Sequence, residues 1–475
     1  MKRGYVKIGF CLILSLLVSN IQAQTSEMVH FMRYNPWQIY TSPGTFAPCD
    51  VYIALPVISN LQAGVYNPTF RYGKLFEKQD GYPTHLTSQR FVNSLSKRNN
   101  WLVADFSTEI VGFGFRLNNL FLSFDYRLKA NAAFSASKDL FGMVLLGNMA
   151  YTDKPADINM QLQVSAYREL SAGAQYRLNE HLSFGARQKF LIGLANINTR
   201  KLSAEIATDP TSYGILLKYQ VDMNSSCVVP YRINPNIGEQ HFELLSDEFA
   251  LGNIYKNFGL GWDFGVQYRF NDHYTLSASV LDLGFISWKS SAYKLSGEVK
   301  DNGACYQDGG FLFAGFNEDE LENFISNDSY QEEVVDSLLN YFSLEANMIK
   351  RYTTGLNTRL MVQFDYNLND KHRFSALVQA ARVGRTLVPS LTLAYSASFT
   401  EWVDLCVAYT LMKNSYDNLG IGLGFNLKVV TIFASCENII PAINRTRLSN
   451  PNFQFGIVFN WKKKVSDSAT QASIY

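Results

Sequence analysis

The residues able to do chemistry are few and badly spaced for catalysis. The histidines are His30, His85, His181, His241, His273 and His372. No two stand four apart, as a pair of metal ligands on one helix face would. There is no G-x-S-x-G elbow and no phosphate-binding glycine loop. Serine, histidine and aspartate occur without any spacing that suggests a triad. Behind the N-terminal apolar stretch, Cys49, Cys227, Cys305, Cys406 and Cys436 are scattered and include no C-x-x-C. That excludes a zinc motif and a disulfide framework, although a bridge between Cys227 and Cys305 stays open. The expectation is a non-enzyme with no catalytic residue, no cofactor and no metal.

A second set of charges is more informative. Asp125, Arg127, Lys129, Arg177, Arg187, Lys189, Asp263, Arg269, Arg359 and Asp365 each stand next to apolar or aromatic residues in alternating segments. Between Phe258 and Phe270 the apolar side is Phe258, Leu260, Trp262, Phe264, Val266, Tyr268 and Phe270. The other side is Gly259, Gly261, Asp263, Gly265, Gln267 and Arg269. At about 3.3 Å per residue this strand is roughly 40 Å long, more than a tilted membrane strand needs. The same pattern recurs at 120–129, 160–166, 356–366, 391–399, 419–428 and 453–461. In the segment 356–366, Leu356 is placed on the outward side with Leu360 and Val362.

So many apolar strand faces are too large for one soluble core. The expected fold is all-β, a transmembrane up-and-down antiparallel barrel with its apolar side toward lipid. The charges must then face the lumen, because each would cost about 2–4 kcal/mol at mid-depth in hydrocarbon. They read either as a network of paired charges or as a polar or amphipathic ligand path. The row Gly420-x-Gly422-x-Gly424 suggests wall curvature or a kink opening a lateral exit.

The turns set the strand count. Asn179-Glu180-His181, Asn271-Asp272-His273 and Asn369-Asp370-Lys371-His372 follow similar strand ends. Asn and Asp suit tight hairpins, and short turns belong on the periplasmic side. The hairpins fall near 101–117/120–135, 159–178/182–198, 256–270/273–288, 352–368/372–386, 389–400/402–412 and 418–428/430–438, with a last strand at 452–462. An even count needs one more strand within 50–72, giving about 14.

Composition agrees. Hydrophobic residues are 47%, aromatics 14% and charged residues only 17%, with a net charge of +1. Near-neutrality argues against nucleic acid. Residues 1–23 read as a signal peptide: a basic start, an apolar stretch from Ile8 to Val18 and a cleavage site at Ile21-Gln22-Ala23. The expected organisation continues with a periplasmic or plug segment at 24–60, rich in proline. The barrel follows at 61–462, with long outer loops at 199–255 and 289–351, then a periplasmic tail at 463–475. From Asp301 to Ile349 there is no Lys or Arg. Glu318, Asp319, Glu320, Glu322, Glu332 and Glu333, with Leu321, Phe324, Val334, Leu338 and Phe342 at helical spacing, read as an acidic cap or a partner-docking loop.

Val51-Tyr52-Ile53-Ala54-Leu55-Pro56, Phe184-Gly185-Ala186-Arg187-Gln188-Lys189-Phe190 and Asp282-Leu283-Gly284-Phe285-Ile286-Ser287-Trp288 resemble a large family of exported proteins of unknown function found in Bacteroidetes outer membranes. The architecture is similar to fatty-acid-transporter-like barrels, which have an N-terminal plug, and to accessory barrels of type 9 secretion. The resemblance implies one of two roles. One is binding or passage of a hydrophobic or amphipathic small molecule. The other is a scaffold barrel for exported proteins, lipoproteins or another outer-membrane protein. In either case outer-membrane lipid is a partner and both termini lie in the periplasm.

Overall fold

The computed structural model describes residues 28–462, apart from 34, 67–75, 80–81, 87, 212–213, 234–241, 246–250, 300–305, 308–309, 314–326, 328–341, 384–385, 401, 413–414 and 441–451. Fourteen antiparallel strands close into one barrel. β1 comes in two pieces, Val51–Ala54 and Leu61–Tyr66. Then follow β2 (Asn100–Leu117), β3 (Leu120–Ala136), β4 (Ala156–Arg177), β5 (Leu182–Thr208), β6 (Phe258–Arg269) and β7 (Tyr274–Trp288). β8 is again divided, into Tyr352–Gly355 and Arg359–Asn367. The ring continues with β9 (His372–Val383), β10 (Thr386–Thr400), β11 (Val403–Met412), β12 (Ser415–Leu427), β13 (Val430–Cys436) and β14 (Asn452–Trp461). β1 pairs with β2 on one side and β14 on the other, which closes the wall. The all-β class and the count of fourteen expected from the sequence are borne out.

The wall starts at Val51, inside the range read as plug. Proline suits a paired strand poorly, since it has no N–H to donate. The structure places Pro56 in the interruption between the two pieces of β1, where the neighbouring strands still bond to the bulging chain through Val57 N to Glu109 O and Ile457 N to Ile58 O.

The period-two pattern becomes two faces. Phe113, Phe124, Phe264, Leu276, Phe364, Leu393, Phe425 and Phe453 are all exposed on the outside of the ring. Ser123, Asp125, Asp263, Ser277, Gln363 and Thr392, one residue away on the same strands, are buried inside it. Two bulges reverse the phase, one at Glu109/Val111 against β3 and one where Trp262 and Phe264 meet β7. The break in β8 does the same to Leu356, which is buried rather than outward.

The repeated turns share one geometry. Asn179 Oδ1 accepts from the backbone of His181 and Leu182 at 2.9 and 2.8 Å. Asn271 and Asn369 repeat the arrangement. His181 Nδ1 donates to Arg269 O, and His273 Nδ1 to Asn367 O, each at 2.8 Å. These histidines therefore tie one turn to the next strand.

At the other end the sheet rises past the ring. β5 runs to Thr208 and pairs with a strand at Ile215–Cys227, then Tyr293–Val299 and Phe342–Met348. The range 199–255 is thus partly regular strand, and Phe342 begins a strand rather than ending a helix. The remaining residues of the expected helices, and Cys305, lie outside the described residues.

Candidate functional site

The inward side chains of β3 to β8 converge on one layer of the lumen. Asp125, Arg127 and Lys129 alternate along β3, so all three face inward together. Arg127 Nε donates to Asp125 at 2.7 Å and its Nη2 to Glu169 at 2.8 Å. Arg187 also bonds Asp125 and lies 3.8 Å from Asp263. Lys129 bonds Glu169 at 2.8 Å. Lys189 bonds both Asp263 and Asp282 at 2.6 Å, and Arg359 bonds Asp282 at 3.3 Å. A cation left alone here would be strongly destabilising, while each charge in this layer has an opposite neighbour.

Sequence reasoning missed three members. Glu169 stands in phase with Gln161, Gln163 and Ser165 on β4, so the alternation of that strand could have found it. Asp282 shares parity with the outward Leu276, and only the bulge at a positive φ of 54° turns it inward, where its amide donates to Asp263. Glu109 sits on the other bulge.

Other expected lumen residues lie elsewhere. Asp365 accepts from Gln363 at 2.7 Å and from Ser375 at 2.5 Å, in a separate group. Arg177 covers the Phe46 ring at 4.3 Å. Arg269 lines a cleft at the short-turn end with Arg33, Asp272 and His273. Glu318, Asp319, Glu320, Glu322, Glu332 and Glu333 lie outside the described residues.

The lower lumen is filled by residues 28–33 and 35–50. Two short helices, α1 (Met28–Phe31) and α2 (Gln38–Thr41), bring Met28, Phe31, Met32, Trp37 and Ile39 into one buried cluster with Tyr52 and Phe433 of the wall. Two guanidinium groups lie over the Tyr40 ring, Arg127 at 4.1 Å and Arg187 at 4.2 Å, and its hydroxyl donates to Glu109 at 3.1 Å. Stacked cations of this kind strengthen when water is excluded. The chain then runs flat against the wall. A Cβ on Gly185 would overlap the Pro43 carbonyl, and one on Gly265 would overlap Gly44 N. Gly420, Gly422 and Gly424 face Met28 and Met32, so the row makes room for α1 rather than for a lateral exit. His30 touches Thr41 and Gln363, and burial pushes its pKa down to about 4, which keeps the ring neutral.

Above the Tyr40 layer a cavity of about 130 Å³ remains. Trp37, Gln62, Asp105, Lys129, Asn131, Tyr167, Asp282, Asn357 and Arg359 line it. A smaller lobe of about 50 Å³ adjoins it through Asn131, Tyr167 and Asn357 and is lined further by Gln163, Asn196 and Asn198.

The model of a family described as of unknown function, DUF5723, matches residues 43–436. No curated protein matches the chain. Among solved structures the chain is similar to a mutant of the TodX monoaromatic hydrocarbon channel, with a TM-score of 0.43 at 10% identity over 91% of this chain and 96% of that one. It is also similar to a Pseudomonas aeruginosa FadL homologue, with a TM-score of 0.41 at 9% identity over 94% and 100%. For the Ralstonia pickettii toluene transporter TbuX the TM-score is 0.40 at 9% identity over 89% and 92%.

Proposed function

We propose that this chain, which belongs to DUF5723, is an outer-membrane barrel that admits a small molecule from the long-loop end and holds it above the plug. Residues 1–23 act as its export signal and both termini lie in the periplasm. The observation that carries the reading is the reversal of polarity across the wall. Outward phenylalanines and leucines stand exposed while buried ion pairs fill the inside. Such a surface suits hydrocarbon, where the outward positions tolerate charge poorly. The cavity ends on Tyr40 and Trp37 of the plug, so passage to the periplasm requires residues 28–50 to move. The plug is then the gate.

Planar-bilayer conductance tests this. The full chain is expected to conduct little. Deletion of 28–50, and separately Tyr40→Ala, which releases both arginines, are expected to raise conductance. Two variants as silent as the full chain would overturn the gate. The second reading is a scaffold for exported proteins or lipoproteins. It is favoured by the sheet of Ile215–Cys227, Tyr293–Val299 and Phe342–Met348 standing beyond the ring.

A further inference from the structure

We infer that the cavity takes a neutral polyhydroxylated molecule on the scale of one sugar ring, not a hydrocarbon. This rests on the small-molecule reading above and names its substrate class. The lining carries the argument. Gln62, Asn131, Gln163, Asn198 and Asn357 all face the two lobes, and none of these carboxamides makes a side-chain hydrogen bond among the described residues. Each offers two donors and an acceptor. Trp37, only 1% exposed, adds an aromatic side chain to the same lining.

The cations beside the cavity are already engaged with carboxylates, while Asp105, which also lines it, makes no ion pair or side-chain hydrogen bond among the described residues and stands as one more acceptor for a hydroxyl. Lys189 and Arg359 bond Asp282 at 2.6 and 3.3 Å, and Lys129 bonds Glu169 at 2.8 Å. An anionic head group would have to break a buried pair to bind, since Lys129, Lys189 and Arg359 each already hold a carboxylate. A hydrocarbon would cover the carboxamides without replacing the hydrogen bonds they make to water, which is unfavourable for every group covered. A ring of hydroxyls supplies both donors and acceptors. Its C–H face suits the rings of Tyr167 and Trp37. The lobes, about 130 and 50 Å³, have room for a few waters or one such ring, and not for an extended chain.

The test uses the full chain purified in detergent and titrated by calorimetry. The probes are the methyl glycosides of glucose, galactose, mannose and N-acetylglucosamine, with laurate as the apolar competitor. At least one glycoside is expected to bind, undisplaced by laurate. Asn131→Leu with Asn357→Leu, a change of polarity at nearly constant shape, is expected to weaken that binding about tenfold or more. The same chain is to keep its heat-modifiable migration, which reports a folded barrel. Laurate binding without any glycoside, or laurate displacing one, overturns the substrate class and leaves the small-molecule reading standing. Glycoside binding unchanged in the double variant overturns the assigned site. No binding of either kind, with the barrel folded, overturns both.

Discussion

An Arg187→Leu chain is expected to lose about 3–5 kcal/mol of stability, the cost of leaving buried charge without its partner. Arg187 has a side chain only 2% exposed, and the carboxylates it faces, Asp125 and Asp263, are 0% exposed. Leucine keeps part of the apolar bulk but leaves Asp125 with Arg127 as its one ion-pair partner among the described residues. It also removes one of the two cations that hold the Tyr40 ring. The loss should therefore appear twice, in the wall and in the plug. Urea unfolding in lipid vesicles, followed by gel migration, reads the first. The control is Phe264→Leu on the outward face of the neighbouring strand, 46% exposed, where a change within about 0.5 kcal/mol is expected. Equal effects of the two substitutions would contradict the assigned faces.

The second large effect is expected at Gly185→Val. A side chain there meets the Pro43 carbonyl of the plug, a backbone atom that cannot rotate away. Overpacking of this kind costs about 1–3 kcal/mol. The plug chain also bonds the wall nearby through Ser183 Oγ to Gly44 O at 2.7 Å and Ala47 N to Gln175 Oε1 at 3.2 Å. Those bonds cannot persist once residues 43–44 are lifted. Trypsin cleavage after Arg33 is expected to rise about tenfold or more, since 1.4 kcal/mol corresponds to tenfold in a population. Gly252→Ala, where an added Cβ meets nothing within 4 Å, should leave cleavage unchanged. If both variants are cut as slowly as the native chain, the plug does not lie against β5.

The barrel was legible in the sequence for a definite reason. A closed single-layer wall forces every strand to alternate, so Phe258–Phe270 repeats the pattern of 120–129 and 391–399, and the Asn-led turns punctuate it. The charged layer was legible in part. Arg127, Lys129, Arg187 and Lys189 follow the alternation, whereas Asp282 and Glu109 sit on bulges that invert it. Pairing partners were not legible, because Lys129 and Glu169 meet only when β3 and β4 come into register. Nor was the role of Gly420, Gly422 and Gly424, which depends on Met28 and Met32 arriving from the far end of the chain. The strand at Ile215–Cys227 was hidden for another reason. Its sequence does alternate, Leu217, Tyr219, Val221 and Met223 against Lys218, Gln220, Asp222 and Asn224, but it lies inside the range 199–255 assigned to an outer loop, and it serves a sheet standing clear of the ring.

The reversal of polarity across the wall is tested most directly by quenching from within the bilayer. Single cysteines at Phe364, Leu393 and Phe453, and at their neighbours Gln363 and Thr392, would be labelled with bimane in a chain freed of its own cysteines and placed in vesicles of brominated lipid. Strong quenching at the first three positions and little at Gln363 and Thr392 is the predicted result. Equal quenching at neighbouring positions, or none at Phe364, Leu393 and Phe453, would contradict it.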